Sequence, residues 1–110
     1  MQLFLAILHR EELLDEVLST LVELEATDPV VVESRSGLEL LERDLPIFAG
    51  LRSLIPSGID FSSLVVCVVE DDLLAGEIMS AIGALDTGPR EEGEPRNTAM
   101  LLPVSTIRDF

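Results

Sequence analysis

Apolar and polar positions along the chain fall into two similar blocks, offset by about 60 residues. In the first, residues 3–8 form a continuous apolar run. Arg10-Glu11-Glu12 follows, and Leu13-Leu14 opens a helical pattern. In the second, the run over 64–69 is followed by Glu70-Asp71-Asp72 and then Leu73-Leu74. At this offset Leu18 falls opposite Ile78 and Val22 opposite Ile82. Internal repeats take precedence in reading a sequence, because they set the architecture. The repeated unit reads as strand–helix–strand. Used twice it predicts βαββαβ, a ferredoxin-like α+β fold: a four-stranded antiparallel sheet with two helices on one face.

The elements follow from periodicity. Residues 3–8 predict strand one and residues 10–26 helix one. Leu13, Leu14, Val17, Leu18, Leu21, Val22 and Leu24 lie at i, i+3 and i+4 spacings, which predicts one broad buried face. Glu11 and Glu12 occupy the first turn, where the helix dipole favours negative charge. Thr27-Asp28-Pro29 predicts the end of the helix, since proline disfavours helical geometry at the residue before it. Strand two is read over 30–32, strand three over 63–69 and strand four over 98–102. Helix two is read over 71–85, with Leu74, Ile78, Ala81, Ile82 and Leu85 inward. A polar loop over about 86–97 precedes strand four, and residues 105–110 form a tail.

Between strands two and three lies a long insert, over about 35–61. Within it residues 45–55 predict an amphipathic helix. Asp44 is a candidate N-cap, Pro46 is tolerated in the first turn, and Pro56-Ser57-Gly58 stops it. Its apolar face, Ile47, Leu51, Leu54 and Ile55 with Phe48 adjoining, requires a surface to lie on.

Two helices cover only one face of such a sheet, so the strands should alternate apolar and polar. Strands one and three do not: Leu3, Leu5 and Ile7 are matched by Phe4, Ala6 and Leu8, and Val65, Cys67 and Val69 by Leu64, Val66 and Val68. An apolar second face marks an interaction surface. The sequence therefore predicts an oligomer formed sheet face to sheet face; the helical insert covering that face within one subunit is compatible with it.

Composition narrows the function classes. The chain has 110 residues, which fits a single domain over 1–110, and its apolar share of 47% is ample for one core. No apolar run approaches the roughly 20 residues of a membrane helix, and no signal-peptide pattern is visible, so the cytoplasm is the expected compartment. A single cysteine, Cys67, permits no internal disulfide. The net charge of −14 repels phosphate backbones and anionic lipids, which argues against nucleic acid and direct membrane insertion. All basic residues are arginine; a GC-rich genome explains this, and the acidic surface is also compatible with a high-salt habitat.

Several short motifs are similar to the PII-like nitrogen-regulatory signalling family. Leu14-Asp15-Glu16-Val17 matches the L-D-E-V early in that family's first helix. Thr87-Gly88 with Gly93 resembles its T-G…G loop. Leu102-Pro103-Val104 with Ile107-Arg108 resembles its L-P-V-x-x-[IV]-R, and Ser36-Gly37 lies where its T-loop begins. The resemblance spans nearly the whole chain, and order and spacing carry it. It implies a non-enzymatic signalling protein and a homotrimer whose inter-subunit clefts take an adenine nucleotide or small anion. It also implies a regulated partner, an enzyme or a membrane transporter. The ligand-binding residues it implies are Gly37, Thr87, Gly88, Arg90, Gly93, Arg96 and Arg108; Ile47, Phe48 and Leu51 would contact the partner or cap the cleft. The chain departs from the family in having no Tyr and no Lys, and its loop reads Thr87-Gly88-Pro89-Arg90-Glu91-Glu92-Gly93-Glu94. Weak ATP affinity is therefore expected. The alternative is a CutA-like trimeric divalent-ion tolerance protein of the same fold.

Chemistry-bearing residues are few. His9, the one histidine, has no His/Cys cluster to build a metal site with. Cys67 sits mid-strand as a small apolar residue, without a base to activate it. Arg90, Arg96 and Arg108 suit phosphate or carboxylate groups. The loop is equally a solvated turn, with its arginines paired to Glu91, Glu92 and Glu94. No nucleophile elbow, Walker loop or dinucleotide fingerprint is present, and catalysis is not expected.

Overall fold

The computed structural model describes residues 1–37, 40–41, 61–85, 88–89, 92–93 and 95–110. The predicted helix over 45–55, with Ile47, Phe48 and Leu51, lies outside the described residues, as do Thr87 and Arg90.

The described elements run β1 (Gln2–Leu8), α1 (Glu11–Glu23), β2 (Val30–Glu33), β3 (Ser63–Val69), α2 (Asp72–Gly83) and β4 (Thr98–Pro103). The fold is α+β. The strands form one four-stranded sheet in the order β2-β3-β1-β4, and every pairing is antiparallel.

Alternation along β1 and β3 divides the sheet into two faces. Phe4, Ala6 and Leu8 of β1 and Val65, Cys67 and Val69 of β3 are buried with Leu13, Val17 and Leu21 of α1 and Ala75 and Ile78 of α2 in a single core. Both helices therefore pack on this face. Ala99 and Leu101 of β4 extend the core at its margin.

The helices end where local geometry dictates. In α1 the Glu25 N–H donates to the Val22 carbonyl at 3.0 Å, and the Ala26 N–H to the Leu21 carbonyl at 3.0 Å. Glu25 sits at φ 58°, the left-handed position that usually carries glycine in this Schellman arrangement. The helix thus stops at Glu23, before the Thr27-Asp28-Pro29 stop read from sequence. In α2 the Asp71 carboxylate accepts from the Leu73 N–H at 2.9 Å, an N-cap that satisfies one free backbone donor.

One expected core position fails. Val22 is 67% exposed, although the spacing places it on the buried face of helix one. The buried line is Leu13, Val17 and Leu21, at i, i+4 and i+8, and Val22 is turned about 100° from Leu21. Its counterpart Ile82 does pack against the core. Leu73 is likewise 79% exposed while Leu13 is buried. Counted at an offset of 61 the buried positions do repeat, Phe4 with Val65, Ala6 with Cys67, Leu8 with Val69 and Val17 with Ile78.

The other sheet face carries matched rows of apolar residues. Leu102, Leu3 and Val68 lie side by side in one row. Met100, Leu5, Val66 and Val30 form the next, and Ile7, Leu64 and Val32 the third, with Thr98 at its end. Residues of this face on β1 and β3 are half-buried, and Val30, Val32 and Leu102 are exposed.

Candidate functional site

Antiparallel pairing brings four separate segments to one end of the sheet. Leu8 pairs with Ser63, Ile7 with Thr98 and Glu33 with Ser63. The chain leaving β1 (His9, Arg10) and the chain leaving β2 (Ser34, Arg35, Ser36) therefore meet the chains entering β3 (Ser62) and β4 (Pro95, Arg96, Asn97).

A cavity of about 490 Å³ opens there. Its floor is Ile7 and Leu64, a cross-strand pair of the apolar face opposite α1 and α2. Its walls carry His9, Arg35 and Arg96 and the three serines Ser34, Ser36 and Ser62. No described lining residue is acidic. In a chain of net charge −14 this local balance is cationic, with hydroxyl donors beside guanidinium groups.

The frame of the site is hydrogen-bonded. The Ser34 N–H donates to the Ser62 carbonyl at 3.2 Å, and the two hydroxyls lie 2.6 Å apart. These bonds prolong the β2–β3 pairing by one step and fix both serines. Across the sheet the His9 N–H donates to Asn97 Oδ1 at 2.8 Å, tying the exit of β1 to the entrance of β4. His9 Nδ1 is buried and has no hydrogen-bond partner. Leu40 N–H donates to the Ser36 carbonyl at 3.1 Å, so the chain turns helically as it leaves the cavity wall.

Arg10 connects this end to the loop after α2. Its Nη2 donates to the Pro89 carbonyl at a long 3.5 Å. A Cβ at Gly88 would stand 3.5 Å from Arg10 Nη1, and Gly88 has φ 69°. Gly93 is also left-handed, at φ 87°.

The residues singled out from sequence divide between locations. Arg96 lines the cavity. Gly37 follows Ser36 of the wall, with open space around it. Gly88 and Gly93 belong to the neighbouring loop. Arg108 is exposed in the tail beyond the far end of β4. His9, Ser34, Arg35 and Ser62 were not singled out as ligand residues. Their signal is positional: polar residues directly after β1 and β2 and directly before β3.

Cys67 takes no part. Its side chain is in the core and its thiol donates to the Thr27 carbonyl at 3.0 Å. Burial, then the negative charge of Asp28, push its pKa up and hold it as a thiol. Among the described residues no group of three or more His, Cys, Asp or Glu side chains is arranged to hold a metal ion. No protein-family model matches the chain, and no curated protein matches it.

Proposed function

We propose that this chain is a PII-like regulatory protein. In this reading its ferredoxin-like subunits assemble as a homotrimer through the sheet face opposite α1 and α2. A small anionic ligand, an adenine nucleotide or a smaller anion, binds at the end of that face, and the ligand state is read by a cytoplasmic partner, an enzyme or a membrane transporter. The role is binding and signalling, not catalysis.

The observation that carries the reading is the position of the cavity. Cationic and hydroxyl groups surround it, while its floor, Ile7 and Leu64, belongs to the apolar face opposite α1 and α2. A second subunit laid on that face would close the cavity from outside, making it an inter-subunit cleft. The strand order supports the fold assignment: read from the other edge it is β4-β1-β3-β2, with the βαββαβ element order of ferredoxin-like domains. Among the described residues no helix is long and apolar enough to cross a membrane, which fits action on a membrane partner from outside the bilayer. The sequence over 45–55 supplies the amphipathic surface, Ile47, Phe48 and Leu51, that this reading assigns to the partner or the mouth of the cleft.

Isothermal titration with ATP, ADP and pyrophosphate tests the ligand. Binding that weakens with salt and falls at least about tenfold in the Arg35→Gln/Arg96→Gln double variant is expected, since exposed cations act through screened charge. No binding of any of the three, or binding indifferent to both arginines, overturns the assignment.

A further inference from the structure

We infer that His9 is a proton-linked ligand group of this cavity: a compact dianionic oxyanion, of the phosphoryl or sulfuryl class, is held more tightly when the imidazole is charged. The inference rests on the anion-binding reading above and adds its regulation by pH.

Three observations carry it. First, His9 borders the cavity, and its backbone N–H donates to Asn97 Oδ1 at 2.8 Å, which holds the main chain at this point. Second, Nδ1 is cut off from solvent and from any hydrogen-bond partner. Buried polar atoms nearly always have a partner, and an exception calls for a reason. A ring that reorganises around a ligand supplies one, since an incoming oxyanion accepts from either nitrogen of the charged form. Third, the described charged residues at this end of the sheet that border the cavity are of one sign. Arg35 comes from the chain after β2, Arg96 from the chain before β4, and Arg10 is next in sequence; Ser34, Ser36 and Ser62 are neutral.

The coupling follows from electrostatics. An anion beside an imidazole favours the charged ring. By linkage the charged ring favours the anion to the same degree, and binding takes up a proton. Histidine is the side chain whose charge ordinarily changes between pH 5 and 8, so pH 6 and pH 8 are the conditions to compare. Arginine does not titrate there, so Arg35 and Arg96 set affinity without setting its pH dependence.

Sulfate is the probe, because it stays dianionic from pH 6 to 8. At constant ionic strength it should bind about three- to tenfold tighter at pH 6 than at pH 8. His9 is the one histidine, so a single set of imidazole resonances reports on it. Adding sulfate at pH 7 should move those resonances toward the charged-ring position. His9→Gln, with folding checked by circular dichroism, should bind with equal affinity at the two pH values. Arg96→Gln should bind more weakly at both and keep the pH dependence. Equal wild-type affinities at pH 6 and 8, or His9 resonances unmoved by saturating sulfate, overturn the inference and leave the anion site standing. Absence of sulfate binding at both pH values also overturns it; the broader reading falls only if ATP, ADP and pyrophosphate fail as well.

Discussion

On one face of the sheet Phe4, Ala6 and Val65 are completely buried beneath two helices. One residue along the same strands, Leu3, Leu5, Leu64 and Val66 are only half-buried, and Val30 on the edge strand is 58% exposed. The residue types are nearly the same; what differs is what lies above them. A sheet solvated on one face normally carries polar residues there. Here strand pairing instead aligns apolar side chains into continuous rows. Burying the exposed half of each contributes on the order of 1 kcal/mol. The covered face holds one subunit together, and the other is the face we propose to lie between subunits.

Substitutions on the two faces should therefore fail in different ways. Phe4→Ala, on the covered face, should cost about 3–5 kcal/mol in denaturant unfolding, because the close-packed core does not collapse around the lost ring. That loss should appear in the subunit itself, and a cost under about 1 kcal/mol would mean that the core is not organised around Phe4. Leu5→Asp and Val66→Asp, on the other face, should instead separate the subunits at micromolar concentration while helical circular dichroism is retained. An unpaired carboxylate in an apolar interface has no compensating partner. Unchanged mass in both variants would break the distinction between the faces.

Smaller changes sharpen the picture of the covered side. Asp71→Ala removes the N-cap of α2 and should lower stability by about 1 kcal/mol, with Asp71→Asn recovering most of it because the acceptor oxygen remains. Thermal melts at fixed concentration decide this. Cys67 gives the smallest effect and a defined sign. Its pKa is raised above the ordinary 9.0 by burial and by Asp28, so the folded chain keeps a proton that the unfolded chain releases. Its contribution to stability is fully present below about pH 9 and is lost as pH rises above that value toward the folded-state pKa. The Cys67→Ala variant should lack this part of the decline in a pH series of denaturant midpoints.

Much of the fold was legible because it depends on patterns that local sequence encodes. The six elements follow from runs, helical spacing and breakers, and β3 ends where the apolar run does and begins one residue before it. Val22 was misread because a window of apolar residues at mixed i+3 and i+4 spacings is wider than the stripe one sheet face covers. The end of α1 was set by the left-handed Glu25, a position the sequence marks with no glycine. The cavity was harder to see. Arg96 was singled out through its loop, but His9, Arg35 and Ser62 are far apart in sequence, and only antiparallel register brings the end of β1 to the starts of β3 and β4.

We propose that the sheet face opposite α1 and α2 is an interface between copies of this chain. Sedimentation equilibrium at micromolar concentration and physiological salt tests it most directly. The account predicts a particle of about three times the 12.0 kDa subunit mass. A particle of one subunit mass across that range would contradict it.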